Sequence, residues 1–190
     1  MSNVYAVEKT FDKVDFSHDP LPRGDYEGCR FDHCHFANAD LSEITFIECT
    51  LHDCDLSMAK VSRTAFKDVT FYHCKLLGIH FEDSEKFLLQ LGFDDCIMHL
   101  TTFNGLNLKG TRFNNCLLQE ADFTGAVLKE AVFSGCDLNR AIFNRTELER
   151  ADFRGSYNYS IDPEINYLKK AAFSLEGSQG LLDKYDIIIE

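Results

Sequence analysis

Residues 119–143 read QEADF TGAVL KEAVF SGCDL NRAIF, and written in fives they align without a gap. The last residue of each five is Phe or Leu in alternation: Phe123, Leu128, Phe133, Leu138, Phe143. Two residues earlier stands a small side chain: Ala121, Ala126, Ala131, Cys136, Ala141. Carried outward, the same register runs back through Leu118, Phe113, Leu108, Phe103 and Met98 to Phe93, and forward to Phe153. It also runs unbroken from Tyr26 through Phe31, Phe36, Leu41, Phe46, Leu51, Leu56, Val61, Phe66, Phe71 and Leu76 to Phe81. A period of five matches neither the 3.6 of a helix nor the 2 of a strand. It matches a four-sided coil in which each pentapeptide is one side, the large residue and the small one two before it pointing inward. One turn then takes about twenty residues, and no turn buries its inner face without neighbours.

The pattern A-(D/N)-L-x-x, as in Ala39-Asp40-Leu41, Ala121-Asp122-Phe123 and Ala151-Asp152-Phe153, resembles the pentapeptide repeat family, over roughly Phe11 to Gly155. The resemblance implies an all-β fold, a right-handed quadrilateral β-helix. The expected organisation is an N-terminal cap and leading half-coil (1–23), the repeat helix (24–155) and a C-terminal cap and dimerisation tail (156–190). Pro20 and Pro22 break the first run. The tail is expected to carry a short helix around Ser178 to Tyr185 and a final extended Ile187-Ile188-Ile189. From Phe81 to Phe93 the step is twelve residues rather than ten, so an irregular insert is expected at 82–92, with one side centred near Leu88 and a two-residue bulge.

All eight cysteines, at 29, 34, 49, 54, 74, 96, 116 and 136, fall on the small inward position. The twenty-residue stack puts Cys34, Cys54 and Cys74 in one column and Cys96, Cys116 and Cys136 in another. Parallel neighbours in a packed column suit small buried hydrophobes better than a tetrahedral metal site. Reduced, unpaired thiols are expected. On the outside, His33, Asp53 and His73 fall on one line, continued by Asp95 if the insert uses one side, and Asp32, His52 and Tyr72 fall beside it, continued by Asp94. The ligand types of a divalent-metal site are present without enclosing geometry, so a surface ladder is the expectation, with no metal and no cofactor. There is no Gly-x-Ser-x-Gly, no phosphate loop and no His-Glu-x-x-His, which argues against an enzyme.

The chain of 190 residues carries 31 acidic and 19 basic side chains, a formal charge of −12. No basic block is present to displace the counterions of a nucleic acid, so none is expected as a ligand. No run approaches the ~20 apolar residues of a membrane span, and the first eleven residues, with Glu8 among them, carry no leader-like apolar stretch; a cytoplasmic protein is expected. About six and a half coils at ~4.8 Å give a rod of roughly 30 Å, alongside which B-DNA would place about 18 phosphates. The net charge is on that scale. Asp162-Pro-Glu-Ile-Asn166 and Gly180-Leu-Leu-Asp-Lys-Tyr-Asp-Ile-Ile-Ile189 are similar to the endings of family members of the quinolone-resistance and microcin-immunity type. That resemblance implies a homodimer through Leu181, Leu182, Ile187, Ile188 and Ile189, and a DNA mimic acting on DNA gyrase or topoisomerase IV. The best acidic stripe for such a partner is Asp25, Glu27, Glu48 and Asp68, continued by Glu130, Glu147 and Glu149 and diluted by Lys67, Lys109, Lys129 and Arg150. The alternative is a scaffold that binds another protein through an apolar or mixed patch.

Overall fold

The computed structural model describes residues 4–188. The chain winds as a parallel β-solenoid whose turns stack in register. Among the described residues, eleven short strands form two sheets. β1 (Val4–Val7), β3 (Gly24–Glu27), β5 (Thr45–Ile47) and β7 (Ala65–Lys67) make a four-stranded sheet. β2 (Thr10–Asp12), β4 (Arg30–Asp32), β6 (Thr50–His52), β8 (Val69–Tyr72), β9 (Leu91–Asp94), β10 (Arg112–Asn114) and β11 (Val132–Ser134) make a seven-stranded one. The first sheet lies on face 1, centred inwardly on Ala6, Tyr26, Phe46 and Phe66. Face 2 carries Phe11 to Phe173, face 3 Phe16 to Leu138, and face 4 Leu21 to Phe143. Isolated bridges, such as Asp40 with Lys60 on face 4, extend the pairing beyond the named strands.

The repeat motif now has physical roles. The Asp before a central residue accepts the backbone N–H two residues on, as Asp40 does from Ser42 (3.0 Å), Asp122 from Thr124 (2.8 Å) and Asp152 from Arg154 (3.0 Å). These side-chain turns shape the bend. The corner two residues after the centre is commonly left-handed, with φ of 54° at His33, 52° at Asp53 and 67° at Gly125. That geometry favours Asn, Asp, His and Gly and disfavours most other side chains. The inward small residue often carries a donor for a carbonyl one coil below: Cys54 Sγ to Phe31 O (3.4 Å), Thr64 Oγ1 to Leu41 O (2.8 Å), Ser156 Oγ to Phe133 O (2.9 Å). Buried polar atoms are thereby satisfied.

The core is a set of ring ladders. On face 2, Phe93, Phe113, Phe133, Phe153 and Phe173 stack with centroids 4.7–5.2 Å apart. Phe93, Phe113, Phe133 and Phe153 also meet the neighbouring face edge-on, as Phe113 meets Phe123 at 5.9 Å, whereas Phe173 meets Tyr159 at a tilt. Offset stacks and T-contacts are the favoured aromatic geometries.

Pairing runs past both ends of the expected 24–155 span. β1 lies in register on β3, from Val4 opposite Gly24 to Val7 opposite Glu27. At the other end, Tyr167 bridges Glu147 and Ala172 bridges Asp152. Face 2 therefore has nine levels, about 38 Å at ~4.8 Å each, longer than the six and a half coils read from the sequence. Beyond them, 3-10 turns at Glu176–Leu181 and Asp183–Tyr185 cover the end over Tyr159 and Phe173. They occupy the segment where a helix was expected.

The insert is narrower than 82–92. Glu85 still pairs with Ala65 at a spacing of twenty, whereas Leu91 pairs with Val69 at twenty-two. The two extra residues thus lie between Glu85 and Leu91. Leu88 is not the inward centre: its φ is 59° and it is 62% exposed, and Leu89 packs against the core instead. Among the described residues, no backbone bond joins 83–90 to the level above at 104–111. Face 1 loses its ladder there while face 2 continues. Because the register advances by two, Lys75 bridges Ile97, and Cys74 lies beneath Cys96. Cys34, Cys54, Cys74, Cys96, Cys116 and Cys136 therefore form one column, not the two expected.

Candidate interaction surface

The eight thiols are buried and unpaired. Burial pushes the Cys49 thiol up to about 11, and a hydrogen bond to Cys54 together with burial raises that of Cys34. Raised thiols are poor nucleophiles and poor metal ligands.

Face 2 carries the expected ladder. His33 lies between Asp12 (3.1 Å) and Asp53 (3.8 Å), and His73 between Asp53 (3.8 Å) and Asp95 (3.7 Å). Beside it Asp32, His52, Tyr72 and Asp94 stand in register. His52 stacks on Tyr72 at 4.5 Å, and burial followed by the nearby Arg30 lowers its pKa. The groups alternate along a line rather than converge: among the described residues no three His, Cys, Asp or Glu side chains could hold a metal ion.

The seven residues of the acidic stripe share face 1 but not one charge environment. Asp25, Glu27, Glu48 and Asp68 have no cationic nitrogen within 4.0 Å among the described residues. Glu27 accepts the Tyr5 hydroxyl (2.5 Å), which raises the tyrosine pKa, and Asp68 accepts the Gln90 amide (3.2 Å). Above the insert, Glu130 sits between Lys109 (3.8 Å) and Arg150 (3.4 Å), and Glu147 is held by Lys129 at 2.6 Å. Among the described residues Glu149 has no such partner, and Lys169 and Lys170 follow on the next level. The acidic excess of face 1 thus belongs to its N-terminal half.

Two apolar surfaces were not singled out from the sequence. On face 3, Met58 and Leu100 are 54% and 53% exposed, and the same face carries half-buried Leu77, Ile97 and Leu117 and half-buried His99, whose Nδ1 has no partner among the described residues. Met58 and Leu100 stand at left-handed corners, where an apolar residue is the exception. On face 1, Phe87 and Leu88 project from the insert.

In the tail, Leu181 is packed against the core, while Leu182, Ile187 and Ile188 are exposed and Ile189 lies outside the described residues. Lys184 pins the tail to Asp162 (2.6 Å) and Glu164 (2.7 Å). No helix of the described residues is long and apolar enough to cross a membrane.

A parallel solenoid built from five-residue sides, with charged faces and a filled interior, defines a class of repeat protein. Within that class the chain belongs to the pentapeptide repeat family: the family model described as a pentapeptide repeat region matches residues 25–86 and again 87–153. Among solved structures, it is similar to a trypsin-treated variant of QnrB1, described as a plasmid-mediated fluoroquinolone resistance protein. The identity is 18% over 100% of both chains, with a TM-score of 0.47. It is also similar to HetL, a pentapeptide repeat protein involved in heterocyst differentiation regulation from the cyanobacterium Nostoc sp. strain PCC 7120. There the identity is 18%, over 87% of this chain and 83% of that one, with a TM-score of 0.33. No curated protein matches.

Proposed function

We propose that the chain is a non-catalytic, cytoplasmic protein-binding rod whose acidic N-terminal face 1 enters the basic DNA groove of a type II topoisomerase, DNA gyrase or topoisomerase IV, and protects or modulates it. The observation that carries this reading is the set of four carboxylates left without ion pairs among the described residues, Asp25 and Glu27 on strand β3 and Glu48 and Asp68 at the left-handed corners that follow β5 and β7. Fixed, unneutralised charge attracts a basic groove by the electrostatics that attract a duplex. The ion pairs of Glu130 and Glu147 above the insert support a reading in which those two residues contribute less than the four unpaired carboxylates. Eight reduced thiols suit a reducing compartment.

Reversing Glu48 and Asp68 to Lys should weaken binding to gyrase or topoisomerase IV and flatten its salt dependence, while reversing Glu147 should matter less. Equal binding by the Glu48/Asp68 variant would place the site elsewhere. The face 3 patch favours a second reading, an adaptor for a different protein. Leu100→Asp should then abolish capture of that partner, whereas it should leave topoisomerase binding unchanged.

A further inference from the structure

The corner that leads from face 1 to face 2 is a column of stacked peptide units, each donating its N–H up to the C=O of the next. Glu8 N–H goes to Glu27 O (2.8 Å), Gly28 N–H to Ile47 O (2.9 Å) and Glu48 N–H to Lys67 O (2.8 Å). Above the insert the column resumes, with Gly110 N–H to Lys129 O (2.8 Å), Glu130 N–H to Glu149 O (2.9 Å) and Arg150 N–H to Lys169 O (3.0 Å). Between the two runs a rung is missing. Gln90 N–H turns down to Phe66 O (3.0 Å), and among the described residues the Asp68 N–H has no backbone acceptor and the Lys109 C=O no donor. The slip also frees a side chain. The inward hydroxyls of Thr64, Thr101 and Thr146 each donate to a carbonyl one coil below, at 2.8, 2.9 and 3.0 Å. The hydroxyl of Thr111, a residue only 7% exposed, has no partner among the described residues.

These groups border one cleft of about 370 Å³, lined by Asp68, Gln90, Lys109, Thr111 and Arg112 among others and kept open by Gly92 and Gly110. A single bridging water, at about 30 Å³, would leave most of it empty. Its upper level brings two cations. Arg112 has no carboxylate within 4.0 Å among the described residues, and Lys109 has only a contact of 3.8 Å to Glu130. On the lower level the Asp68 carboxylate is already held by the Gln90 amide (3.2 Å).

Unpaired N–H and C=O groups at a break in a sheet are a template for an added chain. One group satisfies both at once: an amide, accepting from the Asp68 N–H and donating to the Lys109 C=O. Main-chain pairing of this kind is how extended peptides dock on sheets. The end of a chain differs from its middle by a carboxylate, and two cations with a free hydroxyl suit a carboxylate. We propose that the cleft binds the free C-terminus of an extended peptide, its last amide completing the column and its carboxylate lying on Arg112, Lys109 and the Thr111 hydroxyl. The site uses the backbone of Asp68 rather than its carboxylate, and it goes beyond the topoisomerase reading without resting on it.

The test is nuclear magnetic resonance of the full, nitrogen-15-labelled chain titrated with N-acetyl-alanyl-alanine at millimolar concentration. The peptide should shift the Asp68, Gly110 and Thr111 amide signals saturably and slow hydrogen exchange at Asp68, leaving the unbroken corner at Asp53 unmoved. Its C-terminal amide should bind at least about tenfold more weakly, as should the free acid to Arg112→Gln. Thr111→Val, with its fold verified by circular dichroism, should cost about two- to tenfold. Butyrate, a carboxylate without an amide, should not slow exchange at Asp68. No saturable shift at these positions would overturn the proposal. So would equal binding of the C-terminal amide, or slowing of Asp68 exchange by butyrate, which would make the cleft a plain anion site. None of these readouts involves topoisomerase, so failure here leaves that reading standing.

Discussion

Truncating Phe123 to Ala removes one ring from the middle of a continuous ladder. Phe123 is fully buried, stacked between Phe103 and Phe143 at 5.1 Å each and edge-on to Phe113 and Phe133 at 5.9 and 5.8 Å. Burial of such a side chain is worth about 2–3 kcal/mol. The levels above and below are fixed by backbone bonds, including Phe123 N–H to Ile142 O at 2.9 Å, so the gap cannot collapse. Adding the cavity brings the expected loss to about 3–5 kcal/mol. Phe11 is the control. It is only half-buried and keeps one stacking neighbour on its ladder, Phe31 at 4.8 Å, so Phe11→Ala should cost about 1–2 kcal/mol. Urea unfolding followed by far-ultraviolet circular dichroism measures both, the chain having no Trp to report by fluorescence. A loss below about 1 kcal/mol for Phe123→Ala, or equal losses at the two sites, would refute the closed, pinned ladder.

Asp137 should make stability fall in acid. Burial works to raise its pKa, but the Gln119 and Asn158 amides (2.8 Å each) and the Asn139 N–H (3.1 Å) prevail and lower it. A depressed folded value gives stability that is present above the unfolded value near ~4 and lost as pH falls through the folded one. Between neutral pH and pH ~3, the wild type should therefore lose more stability than Asp137→Asn in urea titrations. Thiol titration of the native protein should find none of the eight cysteines reactive, and all eight after unfolding; a fast-reacting native thiol would count against the buried column. Gly180 passes so close to Tyr159 that a Cβ would collide with the Tyr159 carbonyl oxygen. Gly180→Ala should lift the tail from the end of the coil and expose it to protease, and unchanged protection would refute that contact.

The periodic part of the fold was legible because each large residue has one place to go. Phe31, Phe71, Phe113 and Phe133 are all buried as the register requires, and the ladder of His33, Asp53, His73 and Asp95 follows from counting alone. What counting missed lies where the period slips. Of Leu88 and Leu89 either could turn inward, and the choice depends on where a left-handed residue sits. Near the C-terminus the period calls for Asn158, yet Tyr159 is the residue inside, at 3% exposure, while Asn158 takes the corner at φ 60°. Shifting one place lets a ring rather than an amide cover Phe153. Charge placement was legible by face but not by partner. The reach of Lys129 to Glu147, or of Lys109 and Arg150 to Glu130, joins residues of different coils and depends on side-chain conformation.

Displacement of a short labelled DNA duplex from gyrase, measured over a salt series, bears most directly on the proposed function. The wild-type rod should displace the duplex at low salt and lose that ability steeply as salt rises. The Glu48→Lys, Asp68→Lys variant, with its fold verified, should displace it weakly at every salt concentration. No displacement at the lowest salt, or equal displacement by the variant, would contradict it.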